Sequence, residues 1–114
     1  MVDASLGRLS KARDADTVMM TRSTFRDAPD LWTTTLDFKK LNRLSDVNPQ
    51  QKDYLWGSAE LVSWKAKDGQ PLDGILYKPD NFDPTKKYPL MVYFYERNSD
   101  NLHRYYAPEA GRSI

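Results

Sequence analysis

A chain of 114 residues holds one small domain or two incomplete pieces, and its 39% hydrophobic and 12% aromatic content gives it more core material than a disordered chain carries. Lys and Arg number 17 against 16 Asp and Glu, with no block of like charge, which argues against the clustered basic face of a nucleic-acid binder and against a polybasic membrane anchor. The absence of cysteine excludes a disulfide framework and a thiolate metal site and leaves the compartment open.

Met1 to Ser5 lack the basic and apolar regions of a signal peptide. Two composition regimes meet near Asn48 to Trp56, the first rich in Thr, Arg, Asp and Ser, the second in Tyr, Pro, Leu and Lys. In the first regime, Thr17 to Thr24 has the β-branched content of a strand, and Asp30 to Leu36 reads as a second. Phe25 to Pro29 between them supplies a proline and two turn formers, so the pair is expected to form a hairpin with a longer loop. Asp37 to Ser45 reads as a turn and a short edge strand. Asn48 to Leu55 is expected to make about one helical turn, with Asn48 as N-cap and Pro49 at the first position.

In the second regime, Ala59 to Lys65 and Pro71 to Tyr77 flank Asp68-Gly69, and Asp-Gly between apolar runs is a strong hairpin signal. Pro79 closes the second strand, and Asp80 to Lys87 is a polar loop. Tyr88 to Tyr95 is apolar on both faces, the pattern of a strand buried from both sides. Its apolar core, Leu90 to Tyr95, is too short to span a bilayer. Asn98 to Asn101 reads as a loop or the beginning of a helix. With no helix-period stretch of ten residues, the fold class expected is mainly β.

The order of signals from Glu60 to Tyr95 is distinctive: Trp64, then Lys67-Asp68-Gly69, Gly74 to Pro79, Asn81 to Pro84, and Lys86 to Leu90 leading the run that ends at Tyr95. This series resembles the beginning of the α/β-hydrolase domain in prolyl-oligopeptidase-family serine peptidases, which include dipeptidyl-peptidase-IV-like enzymes. Upstream, Phe25, Pro29 to Trp32, Leu44-Ser45 and Asn48-Pro49 resemble the closing hairpin of the family's β-propeller. The resemblance covers about Thr17 to Tyr106. It implies antiparallel hairpins from a propeller end over residues 1–55 and the first strands of an incomplete hydrolase sheet over 56–114. It implies a parent hydrolase acting on peptide substrates in the periplasm, outside the cell or in the cytoplasm.

One functional residue follows from the resemblance. Tyr95 stands where the family keeps a tyrosine whose hydroxyl donates to the oxyanion of the transition state. The bland alternative is one more aromatic at a buried strand end. Family members commonly follow this tyrosine with a glycine- and proline-containing turn, whereas Glu96-Arg97-Asn98 follow here. The rest of the machinery is absent from the sequence. No G-x-S-x-G nucleophile elbow can be built from Gly7, Gly57, Gly69, Gly74 and Gly111. The single histidine, His103, comes too early to be the family's catalytic base, and alone it makes no metal site. The chain by itself is therefore expected to be inactive and to need no cofactor.

Other chemistry-bearing residues have plainer readings. Glu96 and Asp100 read as a solvated loop rather than an acid/base pair, and Trp32, Trp56 and Trp64 as β-core packing rather than a stacking platform. Tyr105-Tyr106 read as packing under a loop. A stand-alone β-rich binding module is the alternative in a different class. If the chain is a slice, the Leu90 to Tyr95 strand lacks its neighbours. It should then pair with the Asp68-Gly69 hairpin or drive self-association, leaving an apolar face exposed.

Overall fold

The computed structural model describes residues 3–109 and is mainly β, with antiparallel sheets of four and two strands and no closed barrel among the described residues. The first sheet is an up-and-down meander of β1 (Ser5–Lys11), β2 (Thr17–Ser23), β3 (Asp30–Thr35) and β4 (Leu41–Arg43) in that spatial order. Its pairing register puts Val18, Thr34 and Leu41 across from one another, then Met20, Trp32 and Arg43, then Arg22 and Asp30. Side chains alternate between faces along a strand, so these residues share one face. That face holds Val18, Met20, Asp30 and Thr34, all buried.

Local chemistry sets the turns. In the β2–β3 loop, Thr24 Oγ1 accepts from the amides of Arg26 (3.2 Å) and Asp27 (3.0 Å) and donates to the Asp27 carboxylate (2.7 Å). This local ring points Phe25 and Ala28 inward, and both are buried. After β3, Phe38 takes a positive φ of 55° and its amide closes a turn onto the Thr35 carbonyl at 2.9 Å.

The second sheet is the hairpin of β5 (Ser58–Lys65) and β6 (Pro71–Lys78), in register from Ser58 opposite Lys78 to Lys65 opposite Pro71. Asp68-Gly69 sits at its tip, as the sequence predicts, with Gly69 at φ 87°. A 3-10 turn over Pro49–Asp53 bridges the sheets. Asn48 precedes it at φ 58° and makes no side-chain cap bond; its amide instead donates to the Tyr105 hydroxyl at 2.6 Å. A second 3-10 turn covers Asn98–Asn101.

Tyr88 to Tyr95 departs from expectation. No strand forms there, and it does not pair with the β5–β6 hairpin. Leu90 to Tyr95 make no backbone hydrogen bond to the described residues. Each of these six side chains is 71–90% exposed. A strand is defined by its ladder partners; β5 and β6 pair with each other, and neither of their outer edges takes up the run.

The interior is correspondingly small. Buried apolar side chains among the described residues are Val18, Met20, Phe25 and Ala28. The accessible surface is 9552 Å², where a folded monomer of 13.2 kDa exposes about 6,400 Å². The radius of gyration is 17.5 Å, against about 13 Å for a closed domain near this length. The chain folds locally into two sheets without enclosing a domain-sized core.

Candidate functional site

Two clusters of side chains have more structure around them than packing alone requires. The first is a seam between the sheets. Trp56 donates from Nε1 to the Phe25 carbonyl at 2.7 Å, and its backbone amide donates to Asp80 Oδ2 at 2.8 Å. Arg26 Nη1 donates to Asp80 Oδ1 at 2.9 Å. The Phe25 ring meets Tyr77 at 5.4 Å between centroids, and Trp56 stacks on Tyr105 at 5.3 Å with 10° between planes. The Tyr105 hydroxyl donates to Gln51 Oε1 at 3.0 Å. Gly57 lets the chain through, since a Cβ there would stand 2.4 Å from the Lys78 carbonyl oxygen. Amide donation from Trp56 and Gly57, reinforced by Arg26 and outweighing partial desolvation, holds the Asp80 carboxyl below its ordinary value. Burial, aided by Tyr106, pushes the Tyr77 phenol up.

The second cluster surrounds Asp30. Asp30 is 2% exposed, and its carboxylate accepts from Arg43 Nε at 2.9 Å, Ser45 Oγ at 2.6 Å and the Val47 amide at 2.8 Å. Arg43 Nη2 also bonds Asp30, and it reaches Asp46 at 2.6 Å. Burial alone would raise the Asp30 pKa; the donors from Ser45, Val47 and Arg43 overcome it and lower the value. Beside this cluster, Arg22 lies over the Trp32 ring at 5.3 Å.

The predicted site residue is elsewhere. Tyr95 lies at the end of the unpaired run, 74% exposed, and its hydroxyl has no hydrogen-bond partner among the described residues. His103 stands on the rim of the fold, 3.0 Å from the carboxylate of Asp3. Glu96 and Asp100 are both exposed. Among the described residues no group of three or more His, Asp or Glu could hold a metal ion, and no helix is long and apolar enough to cross a membrane. Trp56 is a packing residue, as expected. Trp64, half exposed, instead lies along the open hairpin against Gly74, where a Cβ would come within 3.0 Å of its ring.

Sequence reasoning did not single out Asp30, Arg43 or Arg22. Their association depends on register: Arg22 is opposite Asp30, and Arg43 is opposite Trp32, two residues along β3. No local spacing encodes that. Comparison with family models, with curated proteins and with solved structures finds no match to this chain.

Proposed function

We propose that this chain is a non-catalytic portion of a serine peptidase of the prolyl-oligopeptidase type, joining the last propeller strands to the first strands of the hydrolase sheet. The observation that carries the reading is the Leu90 to Tyr95 run. Six consecutive apolar residues stand in solvent without a ladder partner, on a chain whose two small sheets bury little. A run of this kind is stable when other strands flank it and layers cover both faces, and it is a liability when they do not. The ordered series from Trp64 to Tyr95 supports the same reading, as does the four-stranded meander, the form of a propeller blade.

In the parent enzyme Tyr95 donates its hydroxyl to the oxyanion of the acyl-transfer transition state. The Ser, Asp and His of the triad come from other parts of that protein, as does the wall of the pocket that selects the peptide substrate. The seam of Phe25, Trp56 and Asp80 fixes how the two portions meet.

Two experiments test this together. A fluorophosphonate probe should leave the isolated 114-residue chain unlabelled, and chromogenic dipeptides should not be cleaved. The reading frame past Ile114 should encode a G-x-S-x-G, then an Asp, then a His. Labelling of the isolated chain, or a continuation without that pattern, overturns the proposal. In an active parent, Tyr95→Phe should lower turnover by about 10²–10³ fold.

A further inference from the structure

The β5–β6 hairpin carries the dipeptide Asp-Gly twice, as Asp68-Gly69 at its tip and as Asp73-Gly74 within β6. Chemically the two are alike. In each, the residue after the aspartate lacks a Cβ, so its backbone nitrogen is open to the side-chain carboxyl carbon of the aspartate. Attack there forms a C–N bond; the amide proton and the carboxyl hydroxyl leave as water, and a five-membered succinimide closes. Water then opens the ring. Where it cleaves the bond from nitrogen to the side-chain carbon, aspartate returns. Where it cleaves the bond to the main-chain carbonyl carbon, the chain runs on through the side chain as isoaspartate. One water is lost and one gained, with no change in oxidation state and no catalyst required.

The fold separates the two sites. At the tip, Asp68 and Gly69 are both exposed, and nothing stands within 4 Å of the place a Cβ would occupy on Gly69. Asp68 Oδ1 accepts from the Gln70 amide at 3.2 Å, which folds the carboxyl forward over the Asp68–Gly69 peptide, toward the nitrogen that attacks. The bond that opposes the reaction runs from the Gly69 amide to the Ala66 carbonyl at 2.9 Å; it lies in an exposed turn, where fraying costs little. Asp73-Gly74 is held by its surroundings. The Ala66 amide donates to the Gln70 carbonyl at 2.8 Å, and hydrogen-bonded pairs alternate along an antiparallel ladder, so Trp64–Leu72 and Val62–Gly74 are the next two such pairs. The Trp64 ring covers Gly74, 3.0 Å from an added Cβ. The Asp73 carboxylate reaches across to the neighbouring strand, accepting from Ser63 Oγ at 2.6 Å. Ring closure at Asp73 therefore requires the hairpin to open from its tip through these pairs.

We propose that Asp68 is a site of spontaneous isomerisation in the folded protein, and that the hairpin keeps Asp73, in the same dipeptide within β6, intact. The product has the same mass, inserts a methylene into the main chain and frees an α-carboxylate at the tip. The turn closed by Ala66 and Gln70 is then lost, while the hairpin base, where Ser58 stands opposite Lys78, keeps its pairing. The site does not depend on Tyr95 or on the peptidase reading.

The full chain is aged in warm, neutral buffer, folded in one series and unfolded in guanidinium chloride in another. Isoaspartate is quantified with an isoaspartyl carboxyl methyltransferase and located by electron-transfer fragmentation of the peptides carrying Asp68 and Asp73. In the folded chain Asp68 should convert about tenfold faster than Asp73, or more, because conversion of Asp73 waits on local opening. In guanidinium the two should convert at comparable rates. Asp68→Glu, where the ring would need six members, should remove most of the isoaspartate from the folded chain. Equal rates at the two positions in the folded chain, or a faster one at Asp73, overturn the proposal, as does an Asp68 that stays intact over a period in which the unfolded chain converts it. Rates that already differ as much in guanidinium trace the difference to flanking sequence and overturn it too. Isoaspartate persisting at the wild-type level in Asp68→Glu places the reaction elsewhere and contradicts the assignment.

Discussion

Asp30 shows how a buried charge is tolerated when the chain arranges donors around it. Asp30→Asn replaces an ionised acceptor that serves the Ser45 hydroxyl, the Val47 amide and Arg43 with a weaker one, so it should destabilise the first sheet by about 1–3 kcal/mol, read from urea denaturation followed at strand amides. The pH dependence follows from the lowered Asp30 pKa. The unfolded chain takes up the proton first, near pH 4. The contribution is therefore complete above that value and is lost as pH falls through the lower folded-state value. A thermal series from pH 6 to pH 2.5 should show a steeper acid loss in the wild type than in Asp30→Asn. Equal slopes would mean that Asp30 is not held ionised by its donors. None of this was legible in the sequence. Ser45 lies 15 residues from Asp30 and Arg43 lies 13 away, and only the β3–β4 register brings them together.

Among the elements, legibility followed the strength of local signals. The β5–β6 hairpin is announced by Asp68-Gly69 between apolar runs, and β2 and β3 by their Thr, Val and Met content. The β4 edge strand and the 3-10 turn after Asn48-Pro49 also lie where the sequence put them. Strand β1 was missed because Gly7 and Ser10 interrupt its apolar pattern. Its register also shifts between those two residues, with Arg8 at φ 49°, and a bulge erases the period-2 signal. The opposite error fell on Tyr88 to Tyr95, where the composition is that of a strand and the partners are lacking. Two glycine substitutions separate backbone freedom from space. Gly69→Ala is set against a positive φ with nothing within 4 Å, and should cost about 1 kcal/mol. Gly57→Ala adds a Cβ 2.4 Å from the Lys78 carbonyl oxygen at φ 81° and should cost clearly more, forcing apart the base of the β5–β6 hairpin, where Ser58 stands opposite Lys78. Melting curves of the two variants with comparable midpoints would contradict the role given to Gly57.

At the scale of the molecule, the surface excess and the large radius of gyration describe two sheets joined by a polar and aromatic seam. The seam weakens in acid for the same reason as Asp30: the Asp80 carboxyl is lowered chiefly by the Trp56 and Gly57 amides. Its contribution is present above about pH 4 and fades as pH falls through the depressed value. Exposed apolar residues between Leu90 and Tyr95 should also make the chain associate as concentration rises. Sedimentation velocity should show mass increasing with concentration, and Val92→Lys with Phe94→Lys should abolish the increase. Concentration-independent monomers of the wild type would argue against an unpartnered strand.

Amide hydrogen exchange on the dilute, monomeric chain tests the central claim most directly. If the Leu90 to Tyr95 run belongs to a sheet whose other strands are supplied from outside these residues, its amides should exchange at nearly unprotected rates. Those of Met19 to Thr21 in the central strand β2 should be protected. Protection of Leu90 to Tyr95 equal to that of β2 in the monomer would show a strand already at home in this chain, and would contradict the account.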